Sequence, residues 1–106
     1  MTFNECFTNL KEIFGKSDVS NYNGKLAYQF NIKGEGEGTF YAEIKDGKLS
    51  IEPYEYNDRD AVFTAAYEVF LAVVKGEADP VKLFFTGKLK VDGSIEKALE
   101  IQKFIK

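Results

Sequence analysis

Two period-two alternations in quick succession, followed by Asp46-Gly47, constrain this chain more than any other feature. Leu26, Tyr28, Phe30 and Ile32 alternate with Ala27, Gln29, Asn31 and Lys33. After Gly34-Glu35-Gly36-Glu37-Gly38, the residues Phe40, Ala42 and Ile44 alternate with Thr39, Tyr41, Glu43 and Lys45. A period of two places each apolar set on one face of a strand. Asp46-Gly47 is a two-residue hairpin signal because both turn positions need positive φ. Leu49 and Ile51 continue the inward face until Pro53 ends the third strand or holds it at an edge. Three strands with one apolar face need a cover, and the rest of the chain must supply it.

The flanking segments have helical spacing. Phe3, Phe7, Leu10 and Phe14 form the stripe of an amphipathic helix, with Thr2 or Asn4 as its cap and Gly15 as a left-handed stop. Lys16–Lys25 and Tyr54–Arg59 read as polar loops, and Asp60–Thr64 as a short strand. Thr64 is then expected to cap a helix reaching about Lys75, with Ala66, Phe70 and Val73 or Val74 on its apolar face and Gly76 beyond it. Asp79-Pro80 marks a sharp start for a short helix lined by Val81, Phe84 and Phe85 and closed by Gly87. Lys88–Asp92 alternates again, with Leu89 and Val91 inward. Ser94 caps a last helix through Ile95, Ala98, Leu99, Gln102 and Ile105, with Ile101 and Phe104 widening its stripe.

The chemistry such a frame can carry is narrow. The chain has no His, which removes the usual general base near neutral pH, the commonest zinc ligand and every imidazole triad. Cys6 stands alone beside Phe7 and Leu10 and reads as packing. The Gly34–Gly38 run is followed by a strand, and its two Glu residues repel phosphate, so it reads as a flexible connection. Glu55, Asp58 and Asp60 read as a solvated acidic loop. No catalytic residue, cofactor or metal is expected.

With 106 residues, one domain over 1–106 is expected, large enough to bury a core without staples. Net charge is −3, which argues against nucleic acid as a partner. That charge is uneven: residues 1–74 hold 7 basic and 12 acidic groups, and residues 75–106 hold 7 and 5. The lone Cys6, and the absence of a signal-peptide core in Met1–Leu10, point to a cytoplasmic location. Phe104-Ile105-Lys106 is not expected to act as a peroxisomal address. Ten Phe and six Tyr give 15% aromatic residues, more bulky apolar surface than so small a core obviously needs.

The order of these signals resembles the sterol carrier protein 2 (SCP-2) family of small lipid-binding domains. The resemblance is carried by Phe30-Asn31-Ile32-Lys33-Gly34, Ala42-Glu43-Ile44-Lys45-Asp46-Gly47-Lys48-Leu49, and Asp60-Ala61-Val62-Phe63-Thr64 leading to Glu68-Val69-Phe70. It continues through Lys75-Gly76-Glu77-Ala78-Asp79-Pro80 and Phe84-Phe85-Thr86-Gly87-Lys88-Leu89-Lys90-Val91-Asp92-Gly93, and spans roughly residues 26–105. It implies an α+β fold in which about four helices cover one face of a five-stranded, mostly antiparallel sheet. It also implies an apolar tunnel between the two layers that takes a fatty acid, acyl conjugate, phospholipid or sterol.

The inward positions of this frame are the candidate ligand contacts: Phe30, Ile32, Phe40, Ala42, Ile44, Phe63, Phe70, Val73, Val74, Phe84, Phe85, Leu89, Val91, Leu99 and Ile101. Most of them would face inward even in a domain with a solid core, and for any single residue core packing is the more ordinary role. Adjacent Phe84 and Phe85 cannot point the same way, so one is expected to face the core and the other a cavity or mouth. Lys97, Lys103 and Lys106 surround the last apolar stripe, which is expected to cover the tunnel and touch a membrane surface transiently. The competing reading is a structural or homodimerisation module whose core is filled by its own side chains. A small enzyme with a buried carboxylate, for which Asp60 is the one candidate, is the third.

Overall fold

The computed structural model describes residues 1–104, and the expectations for Ile105 and Lys106 lie outside them. In chain order the elements are α1 (Phe3–Phe14), β1 (Lys25–Lys33), β2 (Gly38–Lys45), β3 (Lys48–Glu52), β4 (Ala61–Ala66), α2 (Tyr67–Val74), α3 (Pro80–Phe85), β5 (Lys90–Gly93), α4 (Ile95–Leu99) and a 3-10 turn (Glu100–Lys103). The strands form one five-stranded sheet in the order β3-β2-β1-β4-β5. Its pairs are antiparallel except β1 with β4, which is parallel. The fold is therefore α+β, as expected. None of the described helices is long and apolar enough to cross a membrane.

Register turns the sequence alternation into a row of rings. Phe30 pairs with Phe40 on β2 and with Phe63 on β4, and Phe63 pairs with Val91 on β5. The Phe30 ring stacks on Phe40 at 4.8 Å and on Phe63 at 5.3 Å. Side chains from the helical layer meet this row edge-on: Phe7 of α1 against Phe40 at 5.5 Å, and Phe70 of α2 against Phe30 at 5.5 Å. Offset and edge-to-face pairs add about 0.5–1.5 kcal/mol each beyond the area they bury. The surplus of Phe noted in the sequence is largely this row and its cover.

The sheet order also explains the opposite face. The chain leaves β3 at one edge and must return to β4 on the far side of β1, so the loop after Pro53 crosses β2 and β1. Tyr56 packs edge-on against Tyr41 at 4.8 Å and gives its hydroxyl proton to Glu43, and its backbone N–H donates to Gln29 Oε1 at 3.2 Å. Ala27 and Gln29, polar-face positions in the alternation, are consequently buried. Asn31 accepts from Gln29 and Thr39, both at 3.1 Å, so the polar groups beneath the loop are paired.

Several boundaries differ from the sequence reading. Thr64 is not a helix cap: β4 runs on to Ala66, which still pairs with Lys33, and α2 begins at Tyr67 without a side-chain cap. Ala66 is exposed and Tyr67 takes the buried position one turn before Phe70. Gly15 is right-handed, with φ −62°, and not the left-handed stop expected. Strand β5 starts at Lys90 rather than Lys88, because the N–H groups of Lys88 and Leu89 fold back onto Leu83 O at 3.0 and 3.1 Å. The last helix is only Ile95–Leu99 before it tightens to 3-10 geometry. Side chains three apart eclipse in that geometry, so Ala98, Ile101 and Phe104 form the buried seam while Ile95 and Leu99 remain about half exposed. The Thr2 cap, the Asp46-Gly47 turn (φ 51° and 78°), the Asp79 cap and the Ser94 cap are as expected.

Gly34–Gly38 is more than a flexible connection. A Cβ on Gly36, where φ is +78°, would lie 2.5 Å from Cys6 Sγ, and one on Gly38 would lie 2.3 Å from the Phe3 ring. The loop is glycine-rich because α1 sits directly on it, and burial pushes the Cys6 thiol pKa up. Gly36→Ala is expected to destabilise the fold by about 1–3 kcal/mol through overpacking and strain. Adding Cys6→Ala should return part of that loss. Urea unfolding of both single variants and the double variant checks it, and strictly additive losses would remove the contact from the explanation.

Candidate functional site

The space between sheet and helices lies on the Phe63 side of the aromatic row. A crevice of about 30 Å3 is lined by Phe63, Pro80, Val81, Phe84, Leu89, Val91, Ile95, Ala98, Leu99, Ile101 and Gln102. A second cavity of about 10 Å3 lies deeper, lined by Phe30, Phe63, Phe70, Val73, Pro80, Leu89 and Ile101. The two share Phe63, Pro80, Leu89 and Ile101, which form the partition between them. Pockets that enclose drug-sized ligands usually measure about 300–1,000 Å3, so these side chains nearly close the space. Neither lining contains a charged side chain, and apolar spaces of this kind stay dry.

Of the expected ligand contacts, Phe30, Phe63, Phe70, Val73, Leu89, Ile101, Phe84, Val91 and Leu99 meet around these two cavities. Ile32, Phe40, Ala42 and Ile44 are buried elsewhere in the core. Val74 faces a separate groove of about 520 Å3 with Ile13, Lys16, Ser17, Lys75, Glu77 and Phe104. Phe85 stands outside both cavities and is 79% exposed. Of the expected pair, neither ring faces the core: Phe84 lines the crevice and Phe85 stands in solvent, because α3 buries none of its residues. Sequence reasoning passed over Pro80, Val81, Ile95, Ala98 and Gln102. In the sequence Pro80 signals only a helix start. Ile95, Ala98 and Gln102 were visible as a stripe, but which part of that stripe faces inward depends on the 3-10 turn.

The cover over the crevice is light. No residue of α3 is buried, although five of the six in Pro80–Phe85 are apolar. Its start is tied to the opposite lip by one carboxylate: Asp79 Oδ1 accepts from Val81 N at 2.9 Å and from Gln102 Nε2 at 3.2 Å. Behind the crevice, the Tyr28 hydroxyl donates to Lys97 O at 2.6 Å and fixes α4 to the centre of the sheet. Burial holds the Tyr28 hydroxyl well above its ordinary pKa.

The acidic loop has structural duties. Asp60 Oδ2 accepts from Ala27 N at 2.8 Å, and its backbone bonds both Ala27 O and Ser94 N, so it joins β1, β4 and β5 and is not among the cavity-lining residues. Asp58 pairs with Lys25 at 2.6 Å. That ammonium holds the Asp58 carboxyl below its usual range, and the carboxylate holds Lys25 above its own. Among the described residues no three His, Cys, Asp or Glu side chains are placed to hold a metal.

Comparison with known proteins bears on this geometry. The sequence profile of the SCP-2 sterol transfer family matches residues 3–106. Human sterol carrier protein 2 is 33% identical over 105 residues, covering 96% of this chain and 19% of that protein. Rat hydroxysteroid dehydrogenase-like protein 2 is 34% identical over 82 residues, covering 76% of this chain and 16% of that protein. The chain thus spans less than a fifth of these relatives' length. Among solved structures, sterol carrier protein-2 from Aedes aegypti in complex with palmitate matches with a TM-score of 0.62 and 20% identity, covering 98% and 94% of the two chains.

Tyr28 supplies a pH test of the α4 attachment. Its folded pKa is raised above the unfolded value of about 10. Its contribution is therefore complete below that value and is lost as pH rises through it, because the unfolded chain gives up the proton first. Tyr28→Phe should cost about 1 kcal/mol at neutral pH and should flatten the loss of stability above about pH 10. Chemical denaturation from neutral to alkaline pH measures both, and an unchanged alkaline slope would assign the lability to another group.

Proposed function

Because this chain belongs to the SCP-2 sterol transfer family, we propose that it binds a lipid-like apolar ligand non-covalently between sheet and helices and acts as a lipid carrier. The observation that carries this reading is a pair of adjoining, uncharged cavities under a helix with no buried residue. The palmitate complex of the mosquito protein supports an acyl chain as the ligand class. In this reading the ligand contacts are the residues gathered at the cavities, joined by Phe40, Ala42, Ile44, Ile32 and Val74 as the space lengthens. Phe85 and Leu99 lie at its mouth.

Magnitudes favour opening. An acyl chain gains about 0.8 kcal/mol per methylene buried, so about a dozen methylenes bring roughly 10 kcal/mol. Lifting α3 from α4 breaks the Asp79–Gln102 bond, worth about 1 kcal/mol. It also uncovers more of Phe84 and Leu99, two crevice-lining residues that are already 38% and 48% exposed. Binding outweighs that cost, and the small cavities are the closed state of an expandable space. The protein then works without covalent chemistry: it supplies no base or nucleophile to the cavity, and its role is solubilisation and delivery. The lone, buried Cys6 suits the cytoplasm, where a thiol stays reduced.

The same small volumes also favour a second reading, a structural or homodimerisation module whose own side chains fill the space. Titration of a fluorescent long-chain fatty acid separates the two. The carrier reading expects saturable one-to-one binding, and Ala98→Leu, which adds methyl bulk to the crevice, should weaken it by at least about ten-fold. Equal affinity in wild type and Ala98→Leu would place the ligand elsewhere. The absence of binding would favour the filled-core module.

A further inference from the structure

We propose that the open edge of the sheet, strand β3, pairs antiparallel with the same strand of a second copy of this chain to form a two-fold dimer. Such a contact is independent of the carrier reading. Strand β3 pairs only with β2 and stands last in the sheet order, so one side of its backbone has no ladder partner. Register decides which residues face that side. Asp46 N donates to Gly24 O at 3.0 Å, so by alternation Ile44 and Ala42 bond toward β1, and Lys45, Glu43 and Tyr41 toward β3. Their partners Lys48, Ser50 and Glu52 therefore direct their backbone groups to β2, which leaves the N–H and C=O of Leu49 and Ile51 pointing outward. Among the described residues no loop or turn backbone bonds to those groups. An edge with free donors and acceptors is a template for another strand.

The residues of the edge select the occupant. Lys48-Leu49-Ser50-Ile51-Glu52 is complementary to its own reverse: antiparallel pairing about Ser50 sets Lys48 against the second copy's Glu52 and Leu49 against its Ile51. That register makes Leu49 and Ile51 the hydrogen-bonded pairs, as their outward groups require. It leaves Lys48–Glu52 and Ser50–Ser50 as the non-hydrogen-bonded pairs, in which side chains stand closest. Within one copy neither charge is answered. Lys48 lies directly opposite Lys45 and Glu52 opposite Tyr41, and neither Lys48 nor Glu52 forms an ion pair among the described residues. Glu43, the other acid among these cross-strand pairs, is already bound by Tyr56 and Lys25. The apolar face gains as well, since half-buried Leu49 is covered by the second copy's Ile51. Pro53, and a turn in which Tyr54 N donates to Glu52 O at 2.9 Å, lead the chain off the edge and confine the contact to β3. Five residues a side fall short of the ~1,200 Å2 of a stable interface, so the dimer is reversible and concentration-dependent. Two-fold pairing occupies the edge and closes there. Both crevices stay free, because they lie across the sheet beside Phe63 of β4 and Val91 of β5.

The test is sedimentation equilibrium of the full chain from about 10 µM to about 1 mM. It compares wild type, Lys48→Glu, Glu52→Lys, the double variant Lys48→Glu/Glu52→Lys, and an equimolar mixture of the two single variants. Wild type should dimerise toward the top of that range. Each single variant sets like charges against each other at both ends of the strand pair and should weaken association at least about ten-fold. The double variant restores opposite charges and should recover association to within about three-fold of wild type. The mixture is complementary in the same way and should associate where neither variant does alone. Cross-linking reads the register. Ser50→Cys should give a disulfide-linked dimer with oxidised glutathione, because facing non-hydrogen-bonded residues have Cα atoms about 4.5 Å apart. Lys48→Cys should not, since its counterpart lies farther along the strand by the length from Lys48 to Glu52, roughly 13 Å. Wild type that stays monomeric throughout, single variants that dimerise as wild type does, or a double variant and a mixture no better than the single variants would overturn the proposal. So would Lys48→Cys that cross-links as readily as Ser50→Cys.

Discussion

Phe30 is the side chain on which the rest of the structure leans. It lies on the central strand, stacks on rings from both neighbouring strands, and is met edge-on by Phe14 of α1 at 6.1 Å and Phe70 of α2 at 5.5 Å. One ring thus sets the separation of sheet and helices, and its stacking partners carry that separation across β2 and β4. Flat rigid rings in a row fill space well along the stack and poorly at its ends. On the Phe40 side α1 closes the end with Phe7 and Phe3, whose rings stack at 5.8 Å. On the Phe63 side Tyr28 meets Phe63 edge-on at 5.2 Å, but Phe84 of α3 is only partly buried over that end, and the cavities lie there.

The two halves of the helical layer differ accordingly. Helix α1 is twelve residues long, carries a complete capping box and buries four side chains. Its partner α2 is joined to it by a hydrogen bond from Asn9 Nδ2 to the Tyr67 hydroxyl at 3.1 Å. Opposite them, α3 and α4 are six and five residues long, and the longer of the two buries nothing. Local opening free energies follow buried apolar contact, so the sheet with α1 and α2 forms the strongly held frame and α3 the weakly held cover. A carrier needs that division: a rigid wall to define the ligand space, and a weak wall for it to enter and leave.

Much of this was legible in the residues. The meander over Leu26–Ile51 was written in alternation and one turn dipeptide, and the caps at Thr2, Asp79 and Ser94 in single side chains, because these are local signals. What the chain did not disclose was set by tertiary context. Thr64 looked like a helix cap, but pairing of β4 with β1 extends the strand past it. In the last helix the sequence offers a wide apolar stripe that includes Ala98, Ile101 and Phe104, but not which of its members are buried: these three are, while Ile95 and Leu99 stay exposed along the crevice. Burial of Gln29 depended on a loop crossing the far face of the sheet, which no local pattern announces.

Native mass spectrometry of the gently purified protein, with solvent extraction of whatever travels with it, tests the central claim most directly. The account predicts a discrete added mass that extracts as a fatty acid, acyl conjugate, phospholipid or sterol, or that appears on incubation with one of them. A mass that stays that of the chain alone after incubation with all of these would contradict it, and would mean that the side chains around Phe63 close the space permanently.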